Sequence, residues 1–242
     1  MVWCWGYNGM GQLGLGTNVS HTTPHSVSSL GAAVIQVTAG GNHTCALTRA
    51  GDAICWGENA SGQLGDGSFN NRSYPQQYVN AIDSWRYIAA GYYHTCGIFS
   101  NGGVACWGDD SHGQLGDGMT LNEDSPFDTP ILQGAAEIAL GELHSCALTQ
   151  SGGVKCWGNN NYGQVGDGTQ WNDRLAPVDV VGLESGVKEI AAGYFHNCAL
   201  TESGEVFCWG LNSNGQLGNG NTSTQTSPAA CNVTTVMNTY AS

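Results

Sequence analysis

Cysteine and histidine are the residues here with the chemistry to bind metal, act as nucleophiles or cross-link, and most of them recur in one arrangement. His43-Thr44-Cys45, His94-Thr95-Cys96, His144-Ser145-Cys146 and His196-Asn197-Cys198 each stand ten residues before a Cys-Trp-Gly, at Cys55, Cys106, Cys156 and Cys208. His-x-Cys with a later Cys could supply three zinc ligands, but there is no Cys-x-x-Cys pair and no fourth ligand. Four equivalent histidines cannot all belong to one active site. A structural role fits them better, with a ring nitrogen satisfying backbone groups where a strand starts. Asp66-Gly67, Asp117-Gly118 and Asp167-Gly168 lack the spaced oxygen ligands of a calcium loop and suit turns. The expected set is no metal, no cofactor and no catalytic residue.

The elements that place the cysteines can be read locally. Apolar alternation over His43–Leu47 and Ala53–Gly57 marks two strands, and Arg49-Ala50-Gly51 turns the chain between them. A three-residue hairpin loop commonly ends on a left-handed residue, which glycine supplies; Gly102, Gly152 and Gly204 hold the same slot. Counting outward from these loops sets Cys45 opposite Cys55, Cys96 opposite Cys106, Cys146 opposite Cys156 and Cys198 opposite Cys208. Opposed residues of an antiparallel pair lie roughly 4.5–5.5 Å apart, within the reach of a disulfide. Four cross-strand disulfides are the natural inference, with reduced structural cysteines as the alternative. Disulfides imply an oxidising compartment, so the expected location is extracellular or cell-surface. Six Asn-x-Ser/Thr triplets are compatible with that but weak in an Asn-rich chain.

The same strings carry a longer period. Cys-Trp-Gly begins at Cys4, Cys55, Cys106, Cys156 and Cys208, each followed by Gly-Gln-Leu-Gly or, once, Gly-Gln-Val-Gly. Self-similarity at about 50 residues indicates a β-propeller, in which each unit buries its faces against its neighbours. The expectation is an all-β propeller of four-stranded antiparallel blades. About five units are present, near 1–36 (split, with 228–242), 37–87, 88–137, 138–189 and 190–242. Trp5, Trp56, Trp107, Trp157 and Trp209 are expected in the core between blades. With six Lys and Arg against 19 Asp and Glu, the net charge of −13 argues against nucleic-acid backbones and anionic lipid as partners. No apolar run is long enough for a membrane-spanning helix.

Ala191-Ala192-Gly193 to His196-Asn197-Cys198-Ala199-Leu200, then Gly204-Glu205-Val206 to Cys208-Trp209-Gly210, then Asn-x-x-Gly-Gln-Leu-Gly, closely resembles the regulator of chromosome condensation repeat. The resemblance covers essentially the whole chain. It implies a propeller, usually of seven blades, in a family whose roles include nucleotide exchange on a small GTPase, light sensing, enzyme inhibition and scaffolding. Fold therefore leaves function open. Paired cysteines, an acidic surface and the absence of a basic tail depart from the exchange factors and resemble cysteine-bearing repeats of secreted bacterial proteins.

The fifth unit is split between the termini. Val236–Ser242 aligns with Val34–Gly40, and Met1–Cys4 with Asp52–Cys55. Three arrangements compete: a piece of a larger propeller, slightly favoured; a five-unit ring; or a strand-exchanging assembly. Cys4 and Cys231 are left over and would bond if the ends meet. Function is expected in loops that vary between blades. Those segments hold Arg72 and Tyr74, Glu123 and Asp124, and Trp171, Asn172 and Arg174, with Trp85 as a further anchor. The leading reading is a non-enzymatic binding or structural module acting through a protein partner or self-assembly. A glycan-binding lectin is the alternative, and guanine-nucleotide exchange follows only by family analogy.

Overall fold

The computed structural model describes residues 1–231 apart from 29, 31, 32, 77, 78, 80, 82, 128 and 129. The alignment of Val236–Ser242 and the sequon at Asn232 lie outside the described residues. Among the described residues all regular structure is β, in five antiparallel sheets. The first pairs β1 (Trp3–Gly6) with β2 (His21–Ser26). The second holds β3 (Val34–Ala39), β4 (His43–Thr48) and β5 (Ala53–Gly57), and the third β6 (Trp85–Ala90), β7 (His94–Phe99) and β8 (Val104–Gly108). The fourth runs β9 (Ala135–Leu140), β10 (His144–Thr149), β11 (Val154–Gly158) and β12 (Arg174–Asp179). The fifth runs β13 (Val187–Ala192), β14 (His196–Thr201), β15 (Val206–Gly210) and β16 (Gln225–Ala230). Outside the second and third sheets, the described residues add isolated bridges, Gly57 with Arg72, Gly108 with Glu123 and Val104 with Leu132. These are the blades of a β-propeller, with inner strands β3, β6, β9 and β13 packed side by side.

The hairpin register is the expected one. Cys45, Cys96, Cys146 and Cys198 stand directly opposite Cys55, Cys106, Cys156 and Cys208, and all four pairs are disulfide-bonded. The first three disulfides belong to the apolar layer between their own blade and the next. Cys45 and Cys55 pack in one cluster with Leu64 and Trp107, and Cys146 and Cys156 in another with Val165 and Trp209. Gly65 shows why glycine ends the Gly-Gln-Leu-Gly turn. Its φ is +68°, and a Cβ there would lie 2.6 Å from Trp107 Nε1.

Two tryptophans depart from expectation. Trp85, expected as a loop anchor, is only 4% exposed and stacks on Phe99 with ring centroids 4.2 Å apart. It opens an inner strand, where variation between blades reflects packing. Trp5, expected in the core, is 59% exposed. Each buried counterpart donates its indole N–H to a Gln carbonyl of the preceding unit, a bond Trp5 does not make among the described residues. The proposed Cys4–Cys231 bond is not formed. Both are free thiols, and Cys231 lies instead against Cys208 on the other side of β15 from Cys198.

Candidate functional site

Antiparallel order sends the turn between strands one and two, and the loop between strands three and four, to the same face. The loop is built on the Asn of Cys-Trp-Gly-x-Asn. Asn160 Oδ1 accepts from Val165 N at 3.1 Å, and its amide donates to Thr169 O at 3.2 Å. Asn59 does the same with Leu64 N and Ser68 O. A buried amide that both donates and accepts thus holds these two loops at both ends.

Arg174, expected as a partner-binding residue, bonds inward. Its guanidinium pairs with Asp167, Nε to Oδ2 at 2.6 Å. Burial pushes the Asp167 carboxyl up, but bonds from Thr169 and Arg174 hold it below its ordinary range. Arg72 makes the same pair with Asp66 at 2.9 Å. Glu123 occupies this slot in the third blade, beside Asp117, and its pKa is raised by burial and by Asp117 and Asp124. Asp124 uses its backbone carbonyl to accept from Gly67 N. Tyr74 is exposed beyond the Arg72 bridge. These residues lie in different blades and form no single cluster.

The third blade also replaces the loop-organising Asn with Asp110. Its Oδ1 accepts from Leu115 N at 2.8 Å, but its fully buried Oδ2 has no partner among the described residues, nor has Asp117 Oδ2. Burial, with Asp117, Asp109 and Glu123 nearby, raises Asp110 to about 7. Among the described residues no group of three or more His, Cys, Asp or Glu is placed to hold a metal ion.

Trp171 behaves differently. It is 71% exposed, and at φ +65° it is the one described non-glycine residue with positive φ. A bulky side chain in the left-handed region is strained, and surrounding structure must hold it there. Here Trp171 N donates to Asn160 O at 2.9 Å. From Trp171 a track of rings runs inward, to Tyr162 at 6.5 Å, Phe195 at 5.1 Å, Tyr194 at 4.8 Å and Tyr92 at 5.6 Å, and on to Tyr93 at 4.5 Å. Tyr194 is 50% exposed and donates its hydroxyl to Glu142 at 2.7 Å, which with lesser burial raises its pKa to about 12. Tyr92, Glu142 and Tyr194 rim an axial hollow of about 410 Å³. Asn172 is exposed beside Trp171. Sequence reading named Trp171 but not Tyr92 and Tyr194, which follow the glycine in two of the four Gly-x-x-His turns and were readable there.

The histidines reach further than expected. Instead of backbone at a strand start, His43, His94 and His144 place Nε2 at 2.9, 2.9 and 3.0 Å from Thr95 Oγ1, Ser145 Oγ and Asn197 Oδ1 of the next blade. Thr95, Ser145 and Asn197 themselves donate to the carbonyls of Gln63, Gln114 and Gln164, so each ring is the Nε2–H tautomer and donates. Burial depresses these rings to about 4, 3 and 4, with the neighbouring histidines adding to the shift at His94. They are neutral staples between blades.

Comparison with known proteins agrees with this geometry. The RCC1-like domain family matches residues 1–241. The chain is 35% identical over 235 residues to human "Probable E3 ubiquitin-protein ligase HERC4", covering 94% of this chain and 17% of that protein. It is 33% identical over 232 residues to the Arabidopsis thaliana "Ultraviolet-B receptor UVR8", covering 94% of this chain and 52% of the receptor. It therefore spans less than two thirds of these relatives. Among solved structures, human WBSCR16 superposes with a TM-score of 0.82 at 25% identity, over 94% of this chain and 61% of that one. Yeast RCC1 (Prp20), solved bound to Kap60, gives 0.79 at 28% identity, over 94% and 57%. A family match along almost the whole length, on a propeller whose repeats carry the same strings, makes this chain a member of the RCC1-like domain family.

Proposed function

We propose that this chain is a non-enzymatic binding module that engages a protein partner through the face bearing Trp171 and the ring track. The observation that carries the reading is Trp171 itself, an exposed indole held on strained backbone at the end of a row of aromatic side chains. Aromatic anchors dominate interface energetics, and strain retained at an exposed residue marks function rather than stability. Yeast RCC1, a structural relative, was solved bound to a protein, which supports the same class of partner. Carboxylates of Glu58, Asp109 and Glu142 near Tyr93 favour a partner surface with basic side chains. Asn172 flanks Trp171 and adds polar contacts at the rim. Arg72, Arg174, Tyr74, Glu123 and Asp124 belong to the proposal as supports or rim of the loops.

We place the module outside the cytosol, extracellular or at a cell surface, and the four disulfides support that placement. The test is quantitative capture from the native medium by wild type, Trp171→Ala and Ser151→Ala, which lies in a turn of the opposite face. One partner retained by wild type and Ser151→Ala and lost by Trp171→Ala supports the reading. Equal capture by all three overturns it. Specific signal on a glycan array would move the site to carbohydrate, and catalysed nucleotide release from a small GTPase would make the chain an exchange factor.

A further inference from the structure

Cys208 stands in the middle of a row of three sulfurs. It is disulfide-bonded to Cys198 on β14, and its Sγ lies 3.0 Å from the free Sγ of Cys231, just past β16. That is closer than two non-bonded sulfurs ordinarily approach. The sheet order β14–β15–β16 puts Cys198 and Cys231 on opposite flanks of Cys208. An incoming and a leaving sulfur would then not compete for one side of the central atom.

The repeat shows what this slot normally does. Cys231 N donates to Val206 O at 2.9 Å, and the same backbone bond is made by Val27 to Val2, Val79 to Ala53, Ile131 to Val104 and Val180 to Val154. Val or Ile fills the slot in the other four units, where it packs between strands. Only the last unit sets a thiol there, against a disulfide.

We propose that Cys198, Cys208 and Cys231 form an intramolecular thiol–disulfide exchange site that moves the staple of the last blade between its inner and outer strand pairs. Cys231 gives its proton to solvent, and its thiolate forms a bond to Cys208 Sγ. The Cys198–Cys208 bond breaks, its electron pair leaves on Cys198 Sγ, and that sulfur takes up a proton. One disulfide and one thiol are present before and after, so no oxidant or reductant is needed. Burial raises the Cys231 pKa, so the exchange quickens as pH rises toward the thiol range.

The test uses the full oxidised chain, incubated at pH 7 and pH 9, acid-quenched, alkylated with N-ethylmaleimide, digested without reduction and mapped by mass spectrometry. The expected result is a Cys208–Cys231 linked peptide together with label on Cys198. Cys231→Val, which installs the residue of the other units, should leave only Cys198–Cys208. Cys198→Ser should trap Cys208–Cys231 on oxidation. Label confined to Cys4 and Cys231 at both pH values overturns the proposal, as does Cys198→Ser in which Cys208 and Cys231 both stay free after oxidation.

Discussion

His94 Nε2 lies 2.9 Å from Ser145 Oγ, and Ser145 passes the interaction on to Gln114 O at 2.8 Å. A ring on one blade is thus held by a hydroxyl of the next, inside the layer where neither meets water. His94→Ala removes a buried ring and leaves Ser145 with one partner fewer. We expect a loss of about 2–3 kcal/mol, read as a lower urea midpoint. The three stapling histidines also set a pH dependence. Their folded pKa values, about 3 to 4, lie below the ordinary 6.5, so they stabilise the fold above pH 6.5 and lose that contribution as pH falls toward 4. Thermal melts between pH 7.5 and 4.5 should show a steady decline.

Asp110 has the opposite sign. Its folded pKa, about 7, lies above that of a free carboxyl, so its native charge destabilises the fold increasingly as pH rises from about 4 to 7. Asp110→Asn restores the amide present at Asn59 and Asn160 and should stabilise by about 1–2 kcal/mol at pH 7.5. The advantage should shrink as pH approaches 4, which separates it from a general packing effect.

Glu123→Arg should give Asp117 the ion pair that Asp66 and Asp167 already have. We expect a gain of about 0.5–1 kcal/mol, smaller at high salt, and no gain when Asp117 is already Asn.

Trp171 separates stability from binding. Trp171→Gly accepts the left-handed backbone without strain and should raise stability by about 0.5–1 kcal/mol. Under the proposed function it should also abolish partner capture. Trp171→Ala keeps the backbone strain, so it should lose capture with no gain in melting temperature.

The disulfides each close a ten-residue separation. Removing one as Cys45→Ala/Cys55→Ala should cost about 2–3 kcal/mol, and a reducing buffer should lower the melting temperature of wild type more than that of the double variant.

The sequence made the hairpins and their cysteine pairs legible because both depend on counting from one glycine across one turn. What joins one blade to another was not local and was read less well. The histidines were expected to bond backbone nearby, whereas their partners are Thr95, Ser145 and Asn197, some fifty positions on. The middle residue of each His-x-Cys string is always a hydroxyl or an amide, and that was the available signal. Asp110 in a column of asparagines was equally visible. Trp85 was misplaced because a variable aromatic in an unaligned stretch can be core or loop, and only its seat against Phe99 decides.

The Gln–Trp and His–hydroxyl or His–amide links between blades run in one order along the chain. A blade offers its Gln carbonyl to the Trp of its successor and its His to the hydroxyl or amide beside it. The same joint, with Thr, Ser or Asn as its middle member, recurs at three successive places in the series. A whole unit could be duplicated or excised and the new neighbours would meet through the same complementary halves. Copy number is thus free to vary where the composition of any single unit is not.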